Sequence, residues 1–500
     1  MMKRLSGHSH AVLGIALCAG VLTAGCAGSG AGASASSASA VAPPPCELST
    51  LGFEANPISR ELRKKLALPD DFKGAVVVDV LPGGPAEAAG IRPNDLVEEI
   101  GGKRITNDCD FVDAAYSRAC DPVPIRLRRD GASVEAQVIP VDQKAFLEKS
   151  CRDGNASGCF RQAWLLWSHN RESDRERAFG FYNMACGAGS AAACAHRGVH
   201  LMDMANRGTD ALVALNRACD LGSGSGCAHL AFLHATGKVV KKDDRRATSL
   251  YVKSCDLGDA LGCYNVGLMA DQGRSGPRDI SLALAKYAEA CDSGSALACT
   301  NLGFFYEHGQ GVQKDSARAV ALYQRGCAGT SCQPSNLGGC LNVGRANRDG
   351  IGVEKNAALA ASIFEEACNR DLNAADVNAK ENRARGCSLL GALYLAADGV
   401  EKDLTKGREL SELGCERGDS FGCYNAAVLY AGGTGVAADA SKAAVFLERA
   451  CQGGDGEGCH DLGVAYENGT GVARNRRRAT ELFRKACELG FEKACAMKRR

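Results

Sequence analysis

Cysteines recur in pairs eight positions apart, at Cys151/Cys159, Cys186/Cys194, Cys219/Cys227, Cys255/Cys263, Cys291/Cys299, Cys415/Cys423, Cys451/Cys459 and Cys487/Cys495. From Cys151 to Cys327 the first cysteines of successive pairs fall 35, 33, 36, 36 and 36 residues apart; the steps on to Cys487 are 41, 47, 36 and 36. A period in the thirties marks stacked units, none of which buries its apolar face alone. On one unbroken helix the two cysteines of a pair would have Cα atoms roughly 12 Å apart. A disulfide tolerates only about 4.4–6.8 Å. The seven residues between partners must therefore reverse the chain, and Cys255-Asp-Leu-Gly-Asp-Ala-Leu-Gly-Cys263 has the Gly and Asp of a helix stop followed by a helix start. Each bridge then staples the end of one helix to the beginning of the next.

Two irregular periods follow the same logic. Cys327 and Cys340 are 13 positions apart and Cys368 and Cys387 are 19 apart, yet 28 residues still separate Cys340 from Cys368 and Cys387 from Cys415. The extra residues are read as lying in the turn between partners, where added length is tolerated. Cys332 sits in one insertion and is an alternative partner for Cys340. Closing a loop of about nine residues contributes roughly 2.6 kcal/mol in the chain-entropy account. Metal thiolates are the competing reading, but metal sites favour tighter Cys spacings with further ligands nearby.

Twenty-six cysteines in this pattern point to an oxidising compartment. The N-terminus agrees: Lys3 and Arg4 precede an apolar run from Ala11 to Leu22, too short for a spanning helix, so residues 1–25 read as a signal peptide. Leu22-Thr-Ala-Gly-Cys26 resembles a bacterial lipobox, which implies cleavage before Cys26 and its lipidation, and Ala27 hints at the outer membrane, facing the periplasm. An ordinary signal peptide with an incidental cysteine is the alternative. Residues 26–45, rich in Ala, Gly, Ser and Pro, form a tether without a core.

From 46 to 142 the periodicity changes to strands: Val76–Val80, Val123–Leu127 and Val134–Val138. Pro85–Gly90 reads as a short helix ended by Gly, Asn94–Gly102 as a strand and turn, and Asn107 or Asp108 caps a helix carrying Phe111, Val112, Ala115 and Tyr116. The run from Gly74 through Leu-Pro-Gly-Gly-Pro-Ala-Glu-Ala-Ala-Gly to Ile100-Gly-Gly resembles the PDZ domains of HtrA-type periplasmic proteases. That resemblance implies capture of an extended C-terminal peptide by strand addition. It maps the carboxylate-binding loop onto Thr50, Leu51, Gly52 and Phe53, with the N–H groups of the last three facing the carboxylate, and the helix side of the groove onto Val112 and Ala115. A PDZ-shaped domain that only packs against the repeats is the alternative. Cys109 and Cys120 would lie about 16 Å apart on a helix and should not bridge; Cys46 with Cys120 is the weaker option.

Residues 143–500 carry the array. Ala247, Leu250, Tyr251 and Ser254 share one helix face, and Ala319-Leu322-Tyr323-Gly326 and Ala479-Leu482-Phe483-Ala486 repeat it. Loops carry Gly-x-Gly-Val at Gly309, Gly350, Gly433 and Gly469. The expected fold is multidomain: a small α+β PDZ-like domain, then an all-α solenoid of disulfide-stapled helix-turn-helix repeats, about nine units with half-unit caps at 142–151 and 488–500. The motifs A-x-x-N-L-G-x-x-Y, G-x-G-V and K-A-x-x-L-Y-x-x-A-C resemble Sel-one-like repeats (SLR), relatives of the tetratricopeptide repeat, and the cysteine pairs resemble the secreted cysteine-rich SLR branch. The resemblance implies an adaptor whose first helices supply the binding surface. Asn265, Asn301, Asn342 and Asn425, two positions after a cysteine, are read as bonding a neighbouring unit's backbone or, alternatively, clamping a peptide.

No catalytic residue, cofactor or metal is expected. Gly418-Asp-Ser-Phe-Gly422 fits a nucleophile elbow but occupies the turn between two helices. The Gly-x-Gly-Val loops lack the Lys-Ser/Thr of a phosphate cradle, and the nine histidines are read as scattered, with none in a H-x-x-x-H pair that would ligate a metal. The cysteine-rich branch includes members described as β-lactamases or penicillin-binding proteins, so a weak hydrolase is the rival reading; S-x-x-K, S-D-N and K-T-G motifs are absent from the sequence. With 59 Lys and Arg against 58 Asp and Glu, nothing argues for nucleic acid. The partners expected are proteins or peptides, plus the membrane through the N-terminal lipid. The sequence thus reads as an envelope adaptor.

Overall fold

The computed structural model describes residues 49–51, 53–58, 63, 68, 74–105, 114, 122–139, 141–168, 172–204, 206–328, 336–370 and 377–497. These residues fall into two compact units, one extending to Ala298 and the other running from Cys299.

The first unit opens with strands β1 (Ser49–Thr50), β2 (Phe53–Pro57) and β3 (Ala75–Val80), a short helix α1 (Pro85–Ala88), then β4 (Leu96–Ile100), β5 (Lys103–Arg104), β6 (Val123–Arg129), β7 (Ala132–Val138) and β8 (Val141–Asp142). The main sheet runs β2-β3-β4-β6-β7, antiparallel throughout, with β5 off β4. Val123, Ile125 and Leu127 alternate inward, so one sheet face makes the core with Val77, Val97, Ile100 and Val138. On β4 and β6 the other face is charged, where Arg126 meets Glu99 and Arg128 meets Glu98 across the strands.

Helices then alternate in pairs from α2 (Gln143–Arg152) onward; among the described residues nine pairs follow it, closed by the four-residue helix Glu492–Cys495. The turn from α8 (Asp244–Asp256), the second helix of one unit, to α9 (Ala260–Gln272), the first of the next, shows how the local sequence dictates it. Gly258, at φ 86°, stops α8, and its N–H bonds the Cys255 carbonyl at 2.9 Å. Asp259 then accepts from the Gly262 N–H at 3.0 Å and opens α9. The same cap recurs at Ser190, Ser223, Asn336, Asp419 and Asp455. Second helices start likewise at Asp243, Asp279, Asn356, Asp403, Asp439 and Asn475.

The second helices are amphipathic: α8 buries Ala247, Leu250, Tyr251, Ser254 and Cys255. The first helices are apolar nearly all round. In α9 every residue from Gly262 to Met269 is buried, whereas Phe304 and Val428 on other first helices are exposed. Close approach is secured by missing side chains. A Cβ on Gly262 would lie 2.3 Å from Ser254 Oγ and 2.6 Å from the Cys255 nitrogen. In the Gly-x-Gly-Val loops the second glycine meets the preceding unit: a Cβ on Gly352 or Gly471 would overlap the carbonyl oxygen of Ser316 or Ala440, at 2.3 and 2.0 Å. These loops are packing devices.

The insertion before Cys387 is not confined to a turn. The helix carrying this cysteine, Val377–Ala396, has 20 residues where regular units have 13. Seven of the added residues extend its first end, because Ala, Lys, Glu and Arg at 379–385 favour helix. Among the described residues no helix is long and apolar enough to cross a membrane.

Candidate functional site: the groove strand and the repeat interfaces

Strand β2 lies at the end of its sheet. It pairs with β3 through Phe53↔Val80, Ala55↔Val77 and Pro57↔Ala75, and among the described residues no strand covers its other side. An uncovered strand edge presents backbone donors and acceptors to an added strand. Leu51 just before it and Phe53 at its start are sunk in the domain core, and half-buried Ala114 packs on the same cluster. Thr50 belongs to β1, which pairs with β8 as Ser49↔Asp142 and Thr50↔Val141. The chain therefore enters the loop beside the strand that leads into α2. Gly52, Val112 and Ala115 lie outside the described residues, as do Cys26, Cys46, Cys109, Cys120 and Cys332.

Just ahead of β4, Asp95 is 2% exposed and accepts from Nε and Nη2 of Arg129, both at 2.7 Å, while the Arg92 N–H adds a third bond at 2.8 Å. Arg129 also donates to the Gly90 carbonyl, pinning the turn that follows α1. Its side-chain bond to Asp95 raises the Arg129 pKa further above its ordinary value.

In the array, Cys151–Cys159, Cys186–Cys194, Cys219–Cys227, Cys255–Cys263, Cys415–Cys423, Cys451–Cys459 and Cys487–Cys495 are bridged, and so are the irregular pairs Cys327–Cys340 and Cys368–Cys387. Their Cα separations run from 4.4 to 4.8 Å, far below the unbroken-helix distance. Cys291 and Cys299 are disulfide-bonded as well. Among the described residues, donor atoms from three metal-ligating side chains converge at Cys255, Cys263 and Glu289, where both sulfurs are already spent on a disulfide.

The asparagine reading is corrected at Asn265. Asn265 donates to the Leu261 carbonyl of its own helix at 2.8 Å, one turn back, and not to a neighbouring unit. The Asn425 side-chain nitrogen is buried without a hydrogen-bond partner. Units are instead joined by charged clasps. Arg274 reaches back to the Ala235 carbonyl and pairs with Asp244. Glu307 of Ala296–His308 accepts from Tyr323 and from Arg345 of the next unit, both at 2.7 Å. Burial pulls the Glu307 carboxyl upward, but the Tyr323 bond and Arg345 more than offset it and hold it below the usual range.

The reading that no H-x-x-x-H pair is present is corrected in the first two units, where such a pair anchors a histidine cluster. His196 and His200 sit four apart on Ala191–Asp203, one turn of helix. The His200 ring stacks on Trp167 at 3.6 Å, and His196 lies between Phe160 and Tyr182 at 5.3 and 5.7 Å. His200 Nε2 is buried without a hydrogen-bond partner. Burial, then neighbouring His229, lowers His196 to about 4; burial, then His196 and Arg175, lowers His200 to about 3. Both are neutral rings at pH 7. The spacing was visible in the sequence; the aromatic partners, drawn from two other helices, were not. Ser420 of the elbow-like segment opens a helix behind the Asp419 cap and follows no strand.

Residues 76–129 match the PDZ domain family. The Sel1 repeat family matches 164–190, 224–259, 260–295, 296–331, 338–372, 384–419, 420–455 and 456–491, together more than half of the chain. Serine protease HTRA1 of Xenopus tropicalis is 32% identical over 82 residues, 16% of this chain and 18% of that protein, so the chain spans under a fifth of that relative's length. Among solved structures, a protective antigen of uropathogenic Escherichia coli with an SLR fold is 19% identical, covering 72% of this chain and 91% of that one at a TM-score of 0.40. Cysteine rich protein B of Helicobacter pylori is 29% identical, covering 29% and 95%, at 0.23. PDZ domains and Sel1-type repeats generally bind peptides and proteins, and disulfides in this number suggest an oxidising, extracytoplasmic compartment. With repeats over most of its length and one smaller domain ahead of them, the chain belongs to the Sel1 repeat family and carries a PDZ domain in front of its cysteine-stapled array.

Proposed function

We propose that this protein is an envelope adaptor, lipid-anchored through Cys26 in the outer membrane and facing the periplasm, with no chemistry of its own. Its PDZ groove takes the free C-terminus or an exposed strand of one protein while the repeats hold a second surface. The observation that carries this reading is the uncovered edge of β2, which offers the backbone of Phe53–Pro57 to an incoming strand. Thr50, Leu51, Gly52 and Phe53 take the carboxylate, and Val112 and Ala115 line the far side of the groove. Joining two binding modules on one chain raises the effective concentration of a bivalent partner.

A fluorescent peptide ending in an apolar residue with a free carboxylate tests the groove. It should bind about tenfold or more tightly than the same peptide amidated, since the charged acceptor is lost. Gly52→Glu should abolish that difference. Equal binding of both peptides would leave the domain as a packing module. Nitrocefin turnover by purified protein would establish the hydrolase in place of the adaptor.

A further inference from the structure

Charge is concentrated at one end of the chain. Residues 474–500 hold ten Lys and Arg against three Glu, whereas the other 473 residues hold 49 Lys and Arg against 55 Asp and Glu. A nearly neutral total hides a strongly basic last unit on an otherwise acidic protein.

The structure shows where these charges stand. The last full helix, Arg476–Glu488, buries Ala479, Leu482, Phe483 and Ala486. Arg477 and Arg484 fall on the opposite side, Arg476 opens the first turn, all three are exposed, and exposed Lys493 follows in the final short helix. Local acids neutralise few of them. Glu481 is shared by Arg477 and Arg478, each at 3.4 Å, and Arg478 also reaches Glu448 at 3.2 Å. Arg476 and Arg484 make no ion pair among the described residues. Packing needs none of these four cations.

We propose that this basic face docks the last repeat on an anionic phospholipid surface. Nucleic acid is the other polyanion such a face would attract, but a disulfide-stapled array belongs where nucleic acid is absent and lipid phosphates are at hand. Clustered Lys and Arg gain roughly fivefold in partitioning for each cation brought near such a surface, within a screening length that shrinks with salt. The contact needs neither the PDZ groove nor an N-terminal lipid, so it stands apart from the adaptor reading.

Flotation of the full processed chain with phosphatidylcholine vesicles, with and without phosphatidylglycerol, tests it. Any acyl anchor contributes equally to both, so the difference isolates the charge term. The anionic vesicles should retain about tenfold or more protein at low salt, and the excess should vanish at high salt. Replacing Arg476, Arg477, Arg484 and Lys493 together by Gln should abolish the excess while the circular dichroism spectrum stays unchanged, since none of them is buried. Equal retention on both vesicles would overturn the proposal, as would an excess that survives the fourfold variant.

Discussion

A Cβ placed on Gly344 would lie 2.4 Å from Cε1 of Phe364, because the ring of the second helix lies directly on the first. Gly267 meets Tyr287, Gly303 meets Tyr323 and Gly463 meets Phe483 in the same way. Gly344→Ala gains about 1 kcal/mol of helix propensity but overpacks a closed interface at about 1–3 kcal/mol. Net destabilisation of about 1 kcal/mol is expected by urea denaturation. Gly180, where an added Cβ meets nothing within 4 Å, is the control: Gly180→Ala should stabilise by about 0.5–1 kcal/mol.

Arg345 binds a carboxylate that is 8% exposed, so Arg345→Met strands Glu307 with Tyr323 alone. A loss of about 2 kcal/mol is expected, less than for a fully buried pair because Arg345 keeps some solvent. Adding Glu307→Gln should recover part of it, and a double-mutant cycle would measure the coupling between the two units. Additive effects would mean that the clasp carries none.

The histidine cluster makes the first units acid-sensitive. In the unfolded chain these rings take protons near the ordinary 6.5; folded His196 does so near 4 and folded His200 near 3. Between those values the unfolded state binds more protons, so stability is full above 6.5 and falls as pH drops below it. From pH 7 to pH 5 the loss should be about 2–4 kcal/mol for the pair, toward the lower end because His196 is only half-buried. Trp164 and Trp167 are the two tryptophans of the chain and both lie in Ala156–Ser168, so their emission reports this region alone. His200→Phe should reduce the pH dependence of its unfolding by about half. An unchanged dependence would assign it to other groups.

Cys255→Ala with Cys263→Ala removes one nine-residue cross-link, for which the entropy account gives about 2.6 kcal/mol. The variant's denaturation midpoint should fall accordingly, with helix content retained at room temperature. A midpoint that does not move would mean that the caps at Gly258 and Asp259 hold the turn unaided.

The array was legible because its information is local and repeated. Cysteine spacing forced the chain reversal, and the Ala-Leu-Tyr/Phe stripe gave the buried face of each second helix. What the sequence did not disclose depends on side chains meeting across units. Asn265 looked like an inter-unit bond because its position repeats, yet its amide donates to a carbonyl one turn back in its own helix. The clasp of Glu307 with Arg345 joins residues 38 apart, a distance no short motif records. Counting residues between Cys368 and Cys387 located an insertion but not its helical part. In the PDZ domain the strands were readable from alternation, whereas the pairing of Ser49–Thr50 with Val141–Asp142 joins segments that carry no pattern at that length.

That last pairing has a mechanical consequence. Ser49 and Asp142 face each other where the chain enters and leaves the domain. Tension applied to the chain on either side of the domain would therefore peel this two-residue clasp open, one rung at a time. The six-stranded sheet would bear load only afterwards, so the clasp would act as a fuse for the sheet behind it.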